Sequence, residues 1–277
     1  MSMQTVVDFG GEGPLVHLAH ANGFPPGTYR PLARTLTDHY RVLALPARPL
    51  WPGSRPECFS TWHQLADDLI QALDDRGLTS ILAVGHSMGG VATLWAAVAR
   101  PELFRAVTLV DPVILPPGRL WVLRALRRLG DRWHHPLVRG ALRRRRVWPS
   151  RLACYESYRD KPFFARWPDE SLWAYVEAGT RDLDDGRVAL AYPPAWEARI
   201  FETIPTDVWQ AVPDLRVPTL ILRGELSDTF LPASQARMAR LLPHARFAVV
   251  PGAGHLAPME RPAVLGAMIR DFFDALE

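Results

Sequence analysis

Residues 81–90 constrain the fold more than any other part of the chain. An apolar, strand-like run ends there in Gly85-x-Ser87-x-Gly89, and a helix-like stretch over 91–100 follows at once. A sharp strand-to-helix turn of this kind strains the backbone of the central serine and lifts its Oγ above the sheet edge. Glycine at both flanking positions leaves room for the turn. The pattern therefore predicts a nucleophilic Ser87 at the edge of an α/β sheet.

Strand-like runs alternate with helix-like runs along most of the chain. Such alternation is typical of βαβ units and a mostly parallel sheet flanked by helices. The alternation stops between about residues 112 and 213, where prolines and tryptophans are frequent. We therefore predict an α/β core domain formed by 1–111 and 214–277, with 112–213 as a helical cap inserted after the sixth strand. The predicted strands are Thr5–Phe9, Leu15–Ala19, Arg41–Pro46, Ile81–Val84, Ala106–Val110, Thr219–Leu222 and Phe247–Val250. The predicted helices are Thr28–Leu36, Ser60–Asp75, Val91–Ala99, Pro232–Leu242 and Pro258–Ala275.

Composition excludes several classes of protein. The 277 residues contain no apolar run of 18 or more, so the sequence predicts no membrane span. Cys58 and Cys154 lie far apart without metal-ligand spacing, and we expect free buried thiols in a reducing compartment. No secretion signal is apparent near the start, which favours a cytoplasmic protein. His134 and His135 have no third ligand at a useful spacing, so no metal or other cofactor is predicted.

A serine hydroxyl needs a base to take its proton and a third group to orient that base. Asp228 and His255 both follow strand-like runs, and open parallel sheets place active sites at the carboxyl ends of their strands. We expect His255 to be the base and Asp228 to orient it. Asp111, at the end of the run over 107–110, is the alternative acid. We expect His20 and His86 to buttress loops.

These residues give the chain a resemblance to α/β-hydrolase fold proteins, which share the nucleophile elbow at 85–89 and the order Ser…Asp…His. The resemblance covers nearly the whole chain except the insertion. It implies that Ser87 is the nucleophile, that His255 is general base and then general acid, and that Asp228 stabilises the imidazolium. It also implies a reaction that needs no cofactor.

The oxyanion of a tetrahedral intermediate requires fixed hydrogen-bond donors. One should be the backbone N–H of Met88, directly after the nucleophile. The other should come from the loop after the strand at 15–19. Hydrolases of this type carry a His-Gly pair there, followed by the donor. Two residues intervene here, so we predict Phe24 as the donor, with the side-chain amide of Asn22 as the alternative.

The insertion is the predicted selector of substrate. It contains seven of the ten tryptophans, which either pack it onto the core or line an apolar pocket over Ser87. Between residues 119 and 151, eleven arginines face one acid, a net charge of +10 in a chain of net +3. Residues 119–129 have the pattern of an amphipathic helix, with an apolar face formed by Val122, Leu123, Leu126 and Leu129. The basic side of such a helix is usually exposed to solvent without a binding role. The alternative hypothesis is that it attracts an anionic substrate or an anionic membrane surface. No nucleic-acid recognition motif is present.

The leading functional prediction is a serine hydrolase that cleaves a small carboxylic ester or thioester through an acyl-enzyme on Ser87. We expect its substrate to carry an apolar acyl or aromatic group. A carbon–carbon bond hydrolase and a cofactor-free perhydrolase use the same triad, and fold alone does not separate them. The alternative outside the enzymes is a non-catalytic ligand receptor that retains the hydrolase fold.

Overall fold

The computed structural model describes residues 6–128 and 136–276. In chain order its strands are β1 (Val7–Gly10), β2 (Leu15–Ala19), β3 (Arg41–Ala44), β4 (Ile81–His86), β5 (Phe104–Val110), β6 (Val147–Trp148), β7 (Thr180–Asp182), β8 (Val188–Leu190), β9 (Thr219–Gly224) and β10 (Arg246–Val250). Its α-helices are α1 (Arg30–Arg34), α2 (His63–Asp74), α3 (Met88–Ala99), α4 (Pro117–Arg128), α5 (Pro136–Leu142), α6 (Arg151–Arg159), α7 (Asp169–Gly179), α8 (Pro194–Glu202), α9 (Val208–Ala211), α10 (Pro232–Leu241), α11 (Ala257–Glu260) and α12 (Pro262–Asp274).

Seven strands form the central sheet in the order β1-β3-β2-β4-β5-β9-β10. β1 is antiparallel to β3, and every other neighbouring pair is parallel. All six residues of β4 are buried, as expected for a strand covered by helices on both faces. The predicted α/β architecture is confirmed. Since the parallel strands run the same way, the segments after β2, β4, β5, β9 and β10 meet at one edge of the sheet.

The core helices lie close to the predicted segments, with one break that proline explains. The helix predicted over 258–275 is divided into α11 and α12 at Arg261, whose φ is −140° and whose ψ is 52°. Pro262 disfavours helical geometry in the preceding residue and suits the first turn of the helix that follows. The first predicted strand begins at Thr5, which lies outside the described residues.

The insertion lies between β5 and β9, so it follows the fifth described strand and not the sixth; the five strands before it correspond to the five predicted segments. It is mainly helical, but it also contains a three-stranded antiparallel sheet, β6-β8-β7, that was not predicted. Most of its buried residues join the buried residues of the core in continuous clusters, whereas Val138, Ala141 and Ala198 form a small cluster of their own. The Trp62 indole, for example, donates to the backbone oxygen of Ile200 in α8 at 3.0 Å. The insertion thus packs on the core without an apolar cluster large enough to stand alone.

The tryptophans of the insertion differ in environment. Trp148, Trp167 and Trp196 are buried and serve the packing role considered for them. Trp121 is 72% exposed on α4 and serves neither packing nor a pocket within the described chain. Trp133 lies outside the described residues.

Some kinds of site are missing from residues 6–128 and 136–276. No helix in these ranges combines the length and the apolar composition needed to cross a bilayer. No group of three or more His, Cys, Asp or Glu residues there has the arrangement of a metal site. His134 and His135 fall outside these ranges. Both cysteines are free; Cys154 is buried as predicted, whereas the prediction of burial is wrong for Cys58, which is exposed.

Candidate active site

Ser87 occupies the turn between β4 and α3. Its φ of 56° and ψ of −113° are unusual for a residue with a side chain, and such strain is typical of a nucleophile elbow. The Ser87 N–H donates to Val110 O at 3.0 Å, which attaches the turn to the end of β5. Only 6% of Ser87 is exposed. The structure therefore holds this hydroxyl in a fixed, enclosed position.

The two glycines of the motif are required by close backbone contacts. A Cβ on Gly89 would lie 2.3 Å from the carbonyl oxygen of Ala19, at the end of β2. A Cβ on Gly85 would lie 2.6 Å from Gly89 O. Both distances are far below van der Waals contact. The loop after β2 can approach the nucleophile only because glycine stands at 89.

His255 lies within hydrogen-bonding distance of Ser87. The serine Oγ is 3.0 Å from His255 Nε2, a distance that suits transfer of the hydroxyl proton to the ring. His255 follows β10 on a loop, and its ring is partly buried. The structure thus brings together the nucleophile and base that were predicted from positions 168 residues apart.

Asp111, and not Asp228, lies against the other side of the imidazole. Asp111 Oδ2 is 2.6 Å from His255 Nδ1, so the carboxylate accepts the Nδ1 proton. The Asp111 side chain is fully buried and accepts two further bonds, from Gly224 N at 3.0 Å and from Ser227 Oγ at 2.6 Å. Its φ of 44° turns the chain sharply after β5, and its N–H donates to Leu222 O at 2.7 Å. Asp111 is therefore held against the imidazole of His255.

The predicted contact between Asp228 and His255 is wrong. Asp228 is exposed, its Oδ1 accepts from the hydroxyl of Thr229 at 3.2 Å, and its carbonyl oxygen accepts from Arg119 Nη1 at 3.0 Å. The turn after β9 directs Ser227 inward instead, one position earlier. β5 lies between β4 and β9 in the sheet, so its end is nearer to the elbow. The signal that identifies Asp111 is its position directly after the strand beside β4.

Of the two predicted oxyanion donors, Met88 lies where it was expected. It is the first residue of α3, where backbone N–H groups have no partner within the helix. The Phe24 N–H, by contrast, is used in a turn, where it donates to Ala21 O at 3.3 Å. The Asn22 amide is also occupied: its Nδ2 donates to Glu197 O at 3.0 Å, and its Oδ1 accepts from Tyr192 at 2.9 Å. The Phe24 N–H is thus engaged within the loop, and both polar atoms of the Asn22 amide are held by the insertion.

A different group of the same loop is unengaged. The backbone N–H of Asn22 donates to no acceptor within residues 6–128 and 136–276. The preceding carbonyl, Ala21 O, accepts from His20 Nδ1 at 2.9 Å, while His20 Nε2 accepts from Ala47 N at 2.9 Å. A trans peptide is planar, so its N–H points opposite to its C=O. The contact with His20 therefore fixes the direction of the Asn22 N–H. Sequence reasoning missed this donor because turn geometry, and not residue type, exposes it.

Comparison with known families identifies the group to which this arrangement belongs. A sequence model described as an alpha/beta hydrolase family matches residues 15–267, most of the chain. The chain belongs to the alpha/beta hydrolase family. It is therefore a hydrolase, and the order of its elements agrees with that membership.

The relatives of this alpha/beta hydrolase are named for different substrates. The chain is 26% identical over 266 residues to a 2-(acetamidomethylene)succinate hydrolase of Mesorhizobium japonicum, covering 96% of this chain and 90% of that protein. It is 25% identical over 283 residues to an N-formylmaleamate deformylase of Pseudomonas putida, covering 98% and 92%. The crystal structure of an E-2-(acetamidomethylene)succinate hydrolase superposes with a TM-score of 0.79 at 25% identity, over 97% of this chain and 94% of that one.

Buried histidines surround the site of this hydrolase and are neutral. Burial lowers the pKa of His20 to about 4 and the pKa of His86 to about 3. His86 Nδ1 is 2.7 Å from the Tyr29 hydroxyl, and His86 Nε2 is 2.9 Å from His255 O. Together with the contacts of His20 described above, these bonds confirm that both histidines buttress loops.

The loop after β2 is covered by aromatic side chains from the insertion. The Phe24 ring lies 5.3 Å from the Tyr175 ring and 6.1 Å from the Trp167 ring, measured between centroids. Tyr175 in turn lies 5.8 Å from Phe164. This cluster places an apolar wall beside the loop that carries the Asn22 N–H.

An ion pair between two residues of the insertion contacts the loop after β2. Arg144 Nη1 donates to Glu197 Oε2 at 2.6 Å, and a second guanidinium nitrogen contacts the Tyr158 and Tyr175 hydroxyls. A Cβ on Gly23 would lie 3.2 Å from the Glu197 carboxyl group and 3.5 Å from Arg144 Nη1. The insertion and the loop therefore fit together closely at Gly23.

Helix α4 was predicted to expose its arginines to solvent or to anionic partners, but several of them make hydrogen bonds within the protein. Three of them donate to backbone oxygens of the surrounding chain, namely Arg119 to Asp228, Arg124 to Thr206 and Arg127 to Glu202. The face predicted to pack is largely open, since Val122 and Leu126 are exposed and Leu123 is half-buried. Leu129, the last member of that face, lies outside the described residues.

Proposed function

We propose that this alpha/beta hydrolase cleaves a small carboxylic ester or thioester through an acyl-enzyme on Ser87. The observation that carries the proposal is the continuous series of contacts from Ser87 Oγ to His255 and from His255 to the buried Asp111. In this proposal His255 is the base, Asp111 orients it, and Asp228 has no part in catalysis.

In the acylation step, Ser87 Oγ attacks the carbonyl carbon of the substrate while His255 Nε2 takes the hydroxyl proton. The imidazolium so formed keeps its Nδ1 proton directed at Asp111, which stabilises the positive charge. The tetrahedral intermediate then collapses, and the departing alcohol or thiol takes the proton from Nε2. Water attacks the acyl-enzyme with His255 again as base, which releases the acid and regenerates Ser87.

The oxyanion in both intermediates would be bound by the backbone N–H groups of Met88 and Asn22. The first is provided by the start of α3, and the second is directed by the contact between His20 and Ala21 O. Removal of one donor of this kind costs about 3 kcal/mol of transition-state stabilisation. Because both donors are backbone groups, their position depends on the turn geometry around them.

Residues 112–213 would act as the cap that selects the substrate, over a core formed by 1–111 and 214–277. The aromatic side chains around Phe24 lie beside the loop that carries the Asn22 N–H, and this apolar surrounding supports an acyl chain or ring as the group recognised. The Arg144–Glu197 pair supports the shape of the loop and leaves no net charge there.

The test is turnover of short-chain chromogenic esters by the wild-type protein and by Ser87→Ala. We expect an acyl-enzyme burst followed by steady hydrolysis, and a loss of about 10⁶-fold in kcat for the variant. Labelling of Ser87 by a fluorophosphonate without any turnover would contradict hydrolysis and favour a ligand receptor. Equal activity of both proteins would contradict the role of Ser87.

A second candidate is cleavage of an amide or related carbon–nitrogen bond. It is favoured by the two relatives described above, whose names specify an acetamidomethylene substrate and a formyl group bound to nitrogen. The same three side chains serve this reaction, with His255 protonating the departing nitrogen. An ester and an amide with the same acyl group distinguish the candidates: a higher kcat/KM for the amide would overturn the ester proposal.

A further inference from the structure

Two buried side chains behind the candidate active site connect its two loops. Tyr29 and His86 are essentially inaccessible to solvent. The Tyr29 hydroxyl is 2.8 Å from Ala21 N and 2.7 Å from His86 Nδ1. On its other side His86 Nε2 is 2.9 Å from the carbonyl oxygen of His255. These contacts link the loop after β2 to the loop after β10.

The protons in this series follow from the donors and acceptors together with the lowered pKa of His86, about 3, for which burial is the main cause. The Ala21 N–H is only a donor, so the Tyr29 oxygen accepts from it. The carbonyl of His255 is only an acceptor, so His86 carries a proton on Nε2 and donates it there. Because the ring is neutral, His86 Nδ1 has no proton and accepts one from the Tyr29 hydroxyl.

We propose that His86 and Tyr29 are positioning residues for the reaction assigned to Ser87. His86 would hold the backbone of His255 so that Nε2 stays 3.0 Å from Ser87 Oγ. Tyr29 would hold His86 in the required tautomer and, through Ala21 N, steady the peptide that presents the Asn22 N–H. The proposal rests on the proposed function, because it assigns these residues to the support of that same triad and oxyanion site.

The position of His86 makes this role specific. It directly precedes the nucleophile, so one residue pair fixes the elbow and the base relative to each other. The His86 and His255 rings are 5.3 Å apart between centroids, and both His86 nitrogens are engaged, one with Tyr29 and the other with the His255 carbonyl. A displacement of about 1 Å between reacting groups costs about 10²-fold in rate. Loss of this support should therefore lower kcat and leave substrate binding nearly unchanged.

The experiment compares Tyr29→Phe, His86→Leu, His86→Gln and the double variant Tyr29→Phe/His86→Leu, with a short-chain p-nitrophenyl ester as substrate. We expect Tyr29→Phe and His86→Leu each to lower kcat by about 10- to 100-fold. KM should change less than about 2-fold in both, since neither residue contacts the substrate. His86→Gln should recover most of the loss, because its amide N–H can reach the His255 carbonyl.

The double variant tests whether the two residues act through one series of contacts. If the two residues act through one series of contacts, the kcat of the double variant is no lower than the kcat of the less active single variant. Tyr40→Phe is the matched control: it removes a hydroxyl that contacts Asp274 on α12, so kcat should stay at the wild-type value. Thermal unfolding shows whether each variant is folded. If His86→Leu does not fold, the kcat values of Tyr29→Phe and His86→Gln still test the proposal.

Three results would overturn the proposal: kcat within about 2-fold of wild type in folded Tyr29→Phe, independent and additive losses in the double variant, or His86→Gln as impaired as His86→Leu. Ser87→Ala separates this failure from failure of the proposed function. If Ser87→Ala is inactive while Tyr29→Phe is fully active, only the positioning role is wrong. If Ser87→Ala retains wild-type turnover, the proposed function itself is wrong.

Discussion

Replacing Asp111 by asparagine tests which carboxylate serves His255. In the folded protein Gly224 N–H donates to Oδ1 of Asp111, so an asparagine there keeps its oxygen on that side. Its NH₂ group then replaces Oδ2 and faces His255 Nδ1 across the present 2.6 Å contact. Since NH₂ is a donor, it favours the tautomer with the proton on Nε2, which cannot accept the proton of Ser87.

The expected loss follows from this change of tautomer. An asparagine in the same role of a serine–histidine–aspartate triad lowers kcat by about 10⁴-fold, or about 5 kcal/mol of activation free energy. Asp228→Asn is the matched control: it makes the same chemical change on the neighbouring strand end, at an exposed residue. Its kcat should stay within about 2-fold of wild type, as is usual for exposed positions away from such contacts.

The assay is kcat and kcat/KM on a short-chain ester, with thermal unfolding to show that both variants are folded. Ser227 Oγ already accepts from the N–H groups of Thr229 and Phe230 and would lose its own acceptor at Oδ2, so we expect the variant to fold with a lower unfolding temperature. Wild-type activity in Asp111→Asn, together with loss of activity in Asp228→Asn, would refute the assignment and restore the acid expected from the sequence.

Three further predictions concern the supporting residues. Ser227→Ala should lower kcat by about 10-fold, because it removes one hydroxyl donor from a buried carboxylate; unchanged kcat would contradict a role for that bond. Gly89→Ala should lower the unfolding free energy in urea by at least about 3 kcal/mol, because its Cβ would meet backbone at 2.3 Å, and wild-type stability would contradict this packing. His17 in β2 is buried like His20 and His86, and burial lowers its pKa to about 3. Because all three histidines have pKa values below that of the unfolded chain, the unfolded state binds more protons and stability should fall as the pH is lowered from about 6.5. Near pH 5 the slope should approach about 4 kcal/mol per pH unit in urea unfolding, and a flat profile would contradict neutral burial of His17, His20 and His86.

The elbow and the positions of the core strands along the chain were predictable from sequence because strong local rules produce them. Gly85 and Gly89 are the residues that the close backbone contacts require, and continuous apolar runs match strands covered on both faces. His255 was predictable for a related reason, since it follows the last strand at the edge where Ser87 lies. The elbow glycines, the apolar runs and the position of His255 can each be recognised from adjacent residues or from the end of a strand.

The acid was harder to predict, because Asp111 and Asp228 follow two neighbouring strands at the same edge. The choice between them depends on which side chain turns inward, and that is set by the φ of 44° at Asp111 and by the inward Ser227. Asp111 was therefore only the alternative acid in the prediction, because its residue type and position do not reveal this backbone angle.

The oxyanion loop and the insertion depend on geometry that short segments do not encode. In the loop, a turn from Phe24 back to Ala21 uses one expected donor, and contacts with the insertion use the Asn22 amide. In the insertion, β6, β7 and β8 have two or three residues each, too short to give an alternating pattern. Long-range contacts determine both.

Mass spectrometry of the protein during turnover of a slowly hydrolysed ester tests the acyl-enzyme on Ser87 most directly. We expect a transient mass increase equal to the acyl group, located on the peptide that contains Ser87, which accumulates in wild type and is absent from Ser87→Ala. An acyl adduct on another residue, or steady hydrolysis by Ser87→Ala at the wild-type rate, would show that Ser87 is not the nucleophile.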